Sequence, residues 1–315
     1  MTAGSRDASA GADAGTVAKA ESVVTARRVP AAAAREDMTA AASVLDPADS
    51  PRARDDLGTL LLEVPGANIT RRGGFGSFAT VSLRGANPDE VRIYVDGIPL
   101  NQAVGGAVDL STLPLGDVER IEVYRGSSPI SFGESALGGV ISISTRTPGA
   151  PSASARVGGG SFQTMFADAT ASGGAGGLKV YGGVHLVRAA GDFPQTAPGI
   201  TGGYQPGARE NNDLSQWDGV FRAALDLPGR RTLRAGLIGI LREQGLPTAE
   251  NFRATAARAT TARGMAHLGY ESRDDLGPSG RLRVTLFASG MRESFSDPLA
   301  QVVSIPSATR DVTRA

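Results

Sequence analysis

The chain has 315 residues, with 32 basic against 32 acidic side chains, so its formal net charge is zero and no charge excess calls for nucleic acid. Cysteine is absent, which excludes disulfide scaffolds, thiolate metal sites and cysteine nucleophiles. Its 42 glycines, roughly twice the usual share, speak against long helices, and no stretch reaches the ~18 to 20 apolar residues of a membrane-spanning helix.

Residues 1–20 are mostly Ala, Gly, Ser, Thr and Asp, too poor in apolar side chains to offset ordering; they read as a disordered arm without the apolar core of a secretory signal. At Glu21 the texture changes. Glu21-Ser22-Val23-Val24-Thr25-Ala26 is a short β-prone run bounded by Arg27, Arg28 and Pro30. It reads either as a first edge strand of the adjoining folded domain or as a segment that adds to another protein's sheet.

From Asp55 to Val64, Leu57, Leu60, Leu61 and Val64 fall at helical spacing, and Pro65-Gly66 closes the element. Thr80 to Leu83, Val91 to Val95, Val118 to Tyr124 and Val140 to Ser144 are β-branched runs separated by turn residues. Residues 27–148 are therefore expected to form a small α+β domain.

Past Pro148, segments of about ten residues alternate. Leu178, Val180, Gly182, Val184 and Leu186 oppose Lys179, Tyr181, Gly183 and His185; Phe221, Ala223 and Leu225 oppose Arg222, Ala224 and Asp226. Ala262, Gly264, Ala266 and Leu268 oppose Arg263, Met265 and His267, and Leu282, Val284 and Leu286 oppose Arg283, Thr285 and Phe287. Leu227 to Arg231 is a short connection and Ala190 to Asn212 a long one. The pattern fits transmembrane β-strands with lipid and lumen faces, and equally a secreted β-sandwich with one wet face.

A series of segments in order resembles one family, the TonB-dependent outer-membrane receptors, in which a plug fills a large β-barrel. Glu21 to Ala26 is similar to the Ton box, and Leu57 to Leu62 with Glu63-Val64-Pro65-Gly66-Ala67 to the family's helix and "VPG" turn. Val81-Ser82-Leu83-Arg84-Gly85 resembles its "isiRG" strand, and Tyr94-Val95-Asp96-Gly97-Ile98-Pro99-Leu100 its "iDGvPl" turn. Val118 to Gly126, then Phe132-Gly133 and Ala136 to Ile143, resemble "IERIEVlRGp…yG…AiGGvInI".

The resemblance implies an α+β plug domain followed by antiparallel transmembrane β-barrel strands, an incomplete barrel. The expected parts are the arm at 1–20, a Ton box at 21–26, the plug at 27–148 and about seven or eight barrel strands over 149–315. It implies that Glu21, Ser22, Val23, Val24, Thr25 and Ala26 bind TonB, and that plug arginines Arg84 and Arg125 pair with barrel glutamates. Ligand contact is assigned by analogy to plug loops, with Arg71, Arg72, Phe75, Phe78, Asn101 and Gln102 as candidates.

Other chemistry is weak. His185 and His267, far apart in sequence, read as bystanders, and pairs such as Asp55-Asp56 read as turn residues. Gly73-Gly74-Phe75-Gly76 is not a P-loop, and Gly133-Glu134-Ser135-Ala136-Leu137 lacks the second glycine of a nucleophile elbow. No enzyme, metal site or cofactor is expected. A plug of about 120 residues, roughly 35 Å across, needs a wider cylinder than eight strands enclose, so a fragment or truncated product is expected. The expected function is energy-coupled uptake of a metal chelate or vitamin across the outer membrane of a Gram-negative bacterium, with TonB and outer-membrane lipid as partners. Iron-siderophore, cobalamin, haem, nickel complexes and oligosaccharides all stay open as cargo. The alternatives are a secreted soluble β-rich module for glycans or proteins and a nonfunctional remnant.

Overall fold

The computed structural model describes residues 42–47, 56–71, 75–101, 106–113, 116–125, 132, 136–198, 204–247, 254–273, 275, 280–302 and 307–314. The β-prone segment Glu21–Ala26 lies outside them, as do Arg72 and Gln102.

The plug begins with β1 (Ala42–Leu45), α1 (Leu57–Leu61), β2 (Ala67–Arg71) and β3 (Ala79–Leu83). It continues with β4 (Val91–Val95), β5 (Ile98–Pro99), β6 (Val118–Tyr124) and β7 (Gly139–Thr145). Five of these strands form one sheet in the order β1-β6-β7-β4-β5, in which β4 and β7 are parallel and the other pairs antiparallel. The central β7 is buried at six of seven positions. Its Gly-Val-Ile-Ser-Ile run is read by neighbours on both sides, as central strands demand.

The helix is shorter than its apolar spacing suggests. α1 ends at Leu61, and the chain turns through Val64 and Pro65 to Gly66, whose φ of 82° only glycine adopts freely. Leu57, Leu60, Leu61 and Val64 are nonetheless all buried, so the spacing reported the inward side of helix and turn together. β1 and β2 carry no comparable sequence signal; β2 (Ala-Asn-Ile-Thr-Arg) is half exposed and is held as a strand by pairing with β3.

The second part is one antiparallel sheet of eight strands in the order β17-β16-β15-β14-β13-β10-β9-β8. Its strands are β8 (Ser152–Gly160), β9 (Thr164–Ala175), β10 (Leu178–Ala189), β13 (Leu214–Leu227), β14 (Arg231–Gly245), β15 (Arg258–Ser272), β16 (Leu282–Asp297) and β17 (Ser307–Arg314). Among the described residues the sheet does not close. A separate hairpin of β11 (Pro194–Pro198) and β12 (Tyr204–Ala208) occupies the long connection between β10 and β13.

Cross-strand register sorts the sheet into two faces. On the outer face Leu186, Trp217, Leu241 and Ala262 form one row, and Gly182, Phe221, Leu237 and Ala266 another. Val184, Trp217, Phe221, Leu237, Leu241 and Leu268 are exposed there, a contiguous apolar belt with lipid as its physical counterpart. A sandwich with one wet face has no such belt. On the inner face Val220, Ile238, Ile240 and Met265 join the same buried cluster as Leu57, Val95, Val118 and Ile143 of the plug. The hydrophobic core is therefore shared between plug and wall.

Asp56 shows how the plug's first elements are tied. Its carboxylate caps α1 by accepting from the Thr59 amide (2.7 Å) and hydroxyl (2.9 Å), and it receives the Arg71 guanidinium from β2 at 2.7 Å. Burial pushes this carboxyl up, but the Arg71 and Thr59 bonds outweigh burial and hold it below the usual carboxylate range. A carboxyl held low in the folded state stabilises above its unfolded value of about 3.9 and ceases to do so as pH falls through the folded value. Hydrogen-exchange protection of α1 and β2, corrected for intrinsic rates, is expected to stay level from neutral pH to about pH 4 and to fall below it. Asp56→Asn is expected to flatten that dependence and to cost about 1 kcal/mol of local stability.

Candidate functional site: the plug–wall junction

The plug meets the wall at one end of its sheet, where β4 ends, β6 begins and β7 ends. Of the three sets of polar contacts to the wall, two lie there. The first starts from a two-residue hairpin turn. Asp96 and Gly97 both have positive φ, 51° and 81°, between paired Val95 and Ile98, the geometry for which Asp-Gly is the favoured sequence. The turn presents the Asp96 carboxylate to the Thr145 amide (2.9 Å) and hydroxyl (2.8 Å) at the end of β7. Arg222 of β13 completes it, bonding Asp96 and also reaching the Thr145 hydroxyl through Nε at 2.9 Å.

The second set centres on Asp117, just before β6. Its carboxylate accepts from the Tyr181 hydroxyl and lies 2.7 Å from Nε2 of His185, both on β10. The other ring nitrogen of His185 lies 2.9 Å from the Asp168 carboxylate of β9, and Arg156 of β8 reaches the far oxygen of Asp168 at 3.4 Å. The His185 ring is almost fully enclosed. Third, Arg242 of β14 donates to the carbonyl and, at 3.0 Å, to the hydroxyl of Ser111 in a short 3-10 turn at Leu110–Thr112. Asp109 holds that turn in place, accepting from the amides of Ser111 and Ala79 at 3.0 Å each.

Glycines make room for these contacts. A Cβ at Gly183 of β10 would stand 2.5 Å from the Asp117 carboxylate, and one at Gly116 would stand 2.4 Å from the His185 ring. Neither position admits a side chain while the other group stays where it is.

In the first two sets the carboxylate is on the plug and the guanidinium, imidazole or phenol on the wall. The resemblance implied the opposite polarity, with plug arginines facing wall acids. Arg125 donates to the Pro65 carbonyl at 2.9 Å, inside the plug. Arg84 is exposed in the left-handed turn before Gly85 (φ 52°), and among the described residues it makes no bond to the wall. His185, read from sequence as a bystander, is the most enclosed ring of the junction. What signal there was lay in the pattern: His185 and Tyr181 fall on the lumen side of an alternating strand, where a polar group needs a partner.

Of the ligand candidates, Arg71 is engaged by Asp56. Asn101 spends its amide on β4, accepting from Ile93 N at 2.8 Å and donating to Val91 O at 2.9 Å. Phe75 and Phe78 are exposed at 43% and 41%, beside Gly76, which abuts Leu214 and Arg242 of the wall.

An α+β plug pinned to the inner face of a lipid-facing antiparallel sheet defines a plugged β-barrel membrane protein. Residues 34–140 match the family model described as TonB-dependent Receptor Plug Domain. The chain is 35% identical over 159 residues to the vitamin B12 transporter BtuB of Vibrio cholerae serotype O1, an alignment covering 49% of this chain and 26% of that protein. Among solved structures it resembles a mutant of the ferric enterobactin receptor PfeA of Pseudomonas aeruginosa (TM-score 0.66, 17% identity, covering 89% of this chain and 45% of that one). It also resembles the unliganded ferric citrate transporter FecA (TM-score 0.65, 20% identity, 83% and 41%). Residues 34–140 are thus a plug domain of the TonB-dependent receptor kind, and the chain as a whole shares the fold of part of those solved receptors. It spans about a quarter of the curated relative's length and under half of the solved ones. The relatives are named as transporters and receptors.

The glycine requirement gives a direct check. Gly183→Ala is expected to push the Asp117 turn off its partners at a cost of about 1–3 kcal/mol. Gly219→Ala on neighbouring β13, whose nearest atom is 3.6 Å away, should be nearly neutral. Amide exchange along β6, measured on both variants in lipid, reads the difference; equal rates would refute the packing argument.

Proposed function

We propose that this chain belongs to a receptor for energy-coupled uptake of a scarce ligand across the outer membrane. The observation that carries the reading is a plug of the TonB-dependent family seated on a lipid-facing wall through a shared apolar core and three polar contacts. Such a junction keeps the pore shut at rest. Ligand binding at the outer face shifts the plug and frees Glu21–Ala26, which adds as a strand to TonB and receives its pull. The protein itself makes and breaks no covalent bond.

The ligand contacts proposed here are Arg71, Arg72, Phe75 and Phe78 of one plug loop and Asn101 and Gln102 of another. Arg71 and Asn101 act there as scaffold, through Asp56 and β4 respectively, while Phe75 and Phe78 offer exposed rings. Pairing of Arg84 with a wall carboxylate belongs to the same proposal; Arg125 is already engaged on Pro65. A corrinoid heads the ligand list, because the relative matched at 35% identity is named a vitamin B12 transporter. Ferric siderophores come second, resting on fold alone.

The test is growth and radiolabel uptake in a deletion strain carrying the full-length receptor, with cobalamin and a panel of ferric chelates offered singly. One ligand should be accumulated above the strain's background. Val23→Pro, which removes an amide from the proposed added strand, should still bind that ligand at the cell surface but accumulate none. Normal accumulation by Val23→Pro would remove Glu21–Ala26 from the coupling step.

A further inference from the structure

We propose that Asp117, His185 and Asp168 form a proton-loaded latch, which holds the 116–118 turn of the plug on the wall and gives up its proton when that turn leaves. This goes beyond uptake itself and rests on the reading that the plug is displaced during transport.

The geometry sets the proton count. Nε2 and Nδ1 of His185 lie 2.7 and 2.9 Å from oxygens of two different carboxylates. An ionised carboxylate only accepts, and a neutral imidazole carries one N–H. With both carboxylates ionised, two such contacts at bonding distance require both nitrogens to donate, so the docked ring is an imidazolium. The ring is 1% exposed, with Gly116 packed against it, so water does not substitute for either carboxylate.

The surrounding charges favour the same state. Asp117 faces the ring from the plug, with Tyr181 of the ring's own strand donating to it. Asp168 faces it from β9, and Arg156 of β8 covers that carboxylate from the outside. Asp218 of β13 is the cross-strand partner of His185, and the Gln216 amide donates to it at 3.2 Å. Arg222 of β13 is drawn away to Asp96, and Arg146 contributes its backbone amide to the Asp117 carbonyl at 2.8 Å. Three carboxylates therefore converge on one ring.

Only one of the two bonded carboxylates belongs to the plug. When the turn leaves, Asp117 goes with it, one nitrogen loses its acceptor, and the second ring proton loses its reason to stay. Docking and proton binding are then linked: the docked state holds more protons, so docking strengthens as pH falls and weakens as pH rises. Asp168 stays on the wall in both states and acts as the positioning group that keeps the ring aimed at the lumen.

Two measurements on the full-length receptor in lipid nanodiscs test this without TonB or any ligand, so they stand or fall separately from uptake. Imidazole nitrogen NMR, with His185 assigned by its loss in His185→Gln, should show both nitrogens protonated from pH 6 to 8. In Asp117→Asn one nitrogen should be bare by pH 8. A bare nitrogen at pH 6 in the unaltered protein would overturn the latch. The second measurement compares intrinsic-rate-corrected exchange of β6 amides with β13 amides at pH 6 and pH 9. The ratio should rise about tenfold, one pH unit's worth of linkage, in the unaltered protein. It should not change with pH in His185→Gln. Asp168→Asn, which keeps the Asp117 carboxylate facing the ring, should show a smaller rise. An identical rise in all three would sink the proposal.

Discussion

A charge enclosed between a plug and a barrel wall has to be paired, and that requirement sets how these two parts fit. The cost of leaving a buried carboxylate without donors exceeds what a few apolar contacts return. Asp96 and Asp117 stand at one end of the plug's sheet, and each finds its donors on a specific wall strand, Arg222 on β13 and the Tyr181 and His185 pair on β10. Sliding the plug by one residue along either strand would face a carboxylate with the opposite side of the sheet, because side chains alternate. Apolar packing alone tolerates such slippage; paired charges do not.

The two kinds of contact divide the work. Val220, Ile238, Ile240 and Met265 extend the plug's own core into the wall and supply the non-directional part of the attraction. The three polar contacts surround that core and supply direction. Each depends on local chain chemistry that has nothing to do with the wall. Asp96 is aimed by a tight Asp-Gly turn, and Ser111 by a 3-10 turn fastened on Asp109. Space at Gly116 and Gly183 then allows Asp117 and His185 to approach. Turn residues that looked like ordinary punctuation thereby fix an interface.

How much of this was legible depended on contrast between faces. Strands with apolar residues on one side and polar on the other were readable: β10, β13, β15 and β16 each contain a segment recognised from alternation. β8 and β9 were not, because Ser-Ala-Ser-Ala-Arg-Val-Gly-Gly-Gly and its neighbour are built from small residues with little difference between faces. β14 was hidden for a different reason. Leu237 and Leu241 face outward while Ile238 and Ile240 face the plug, so both sides are apolar and the period of two disappears. The plug motifs were legible as motifs, and Asp96-Gly97 sat inside one of them. The direction of the charge pairing was not, since nothing in a linear pattern says which carboxylate meets which cation across 126 residues, the separation of Asp96 and Arg222.

The choice of polar contacts also bears on how such a junction comes apart. Separating an apolar interface exposes hydrocarbon to water, and the cost grows with every square ångström uncovered. Separating a hydrogen-bonded contact instead exchanges each bond for one to water, and the net loss is about 0.5–1.5 kcal/mol for a neutral bond and about 1.5–3 kcal/mol for one to a charged group. A junction with a small apolar centre and a polar surround is therefore specific when dry yet limited in the force needed once water enters. Arg222, with two separate partners on the plug in Asp96 and Thr145, delays that entry because one bond survives while the other breaks. Enclosure, rather than the number of bonds, is what gives these contacts their hold; wherever water reaches first, the junction weakens first.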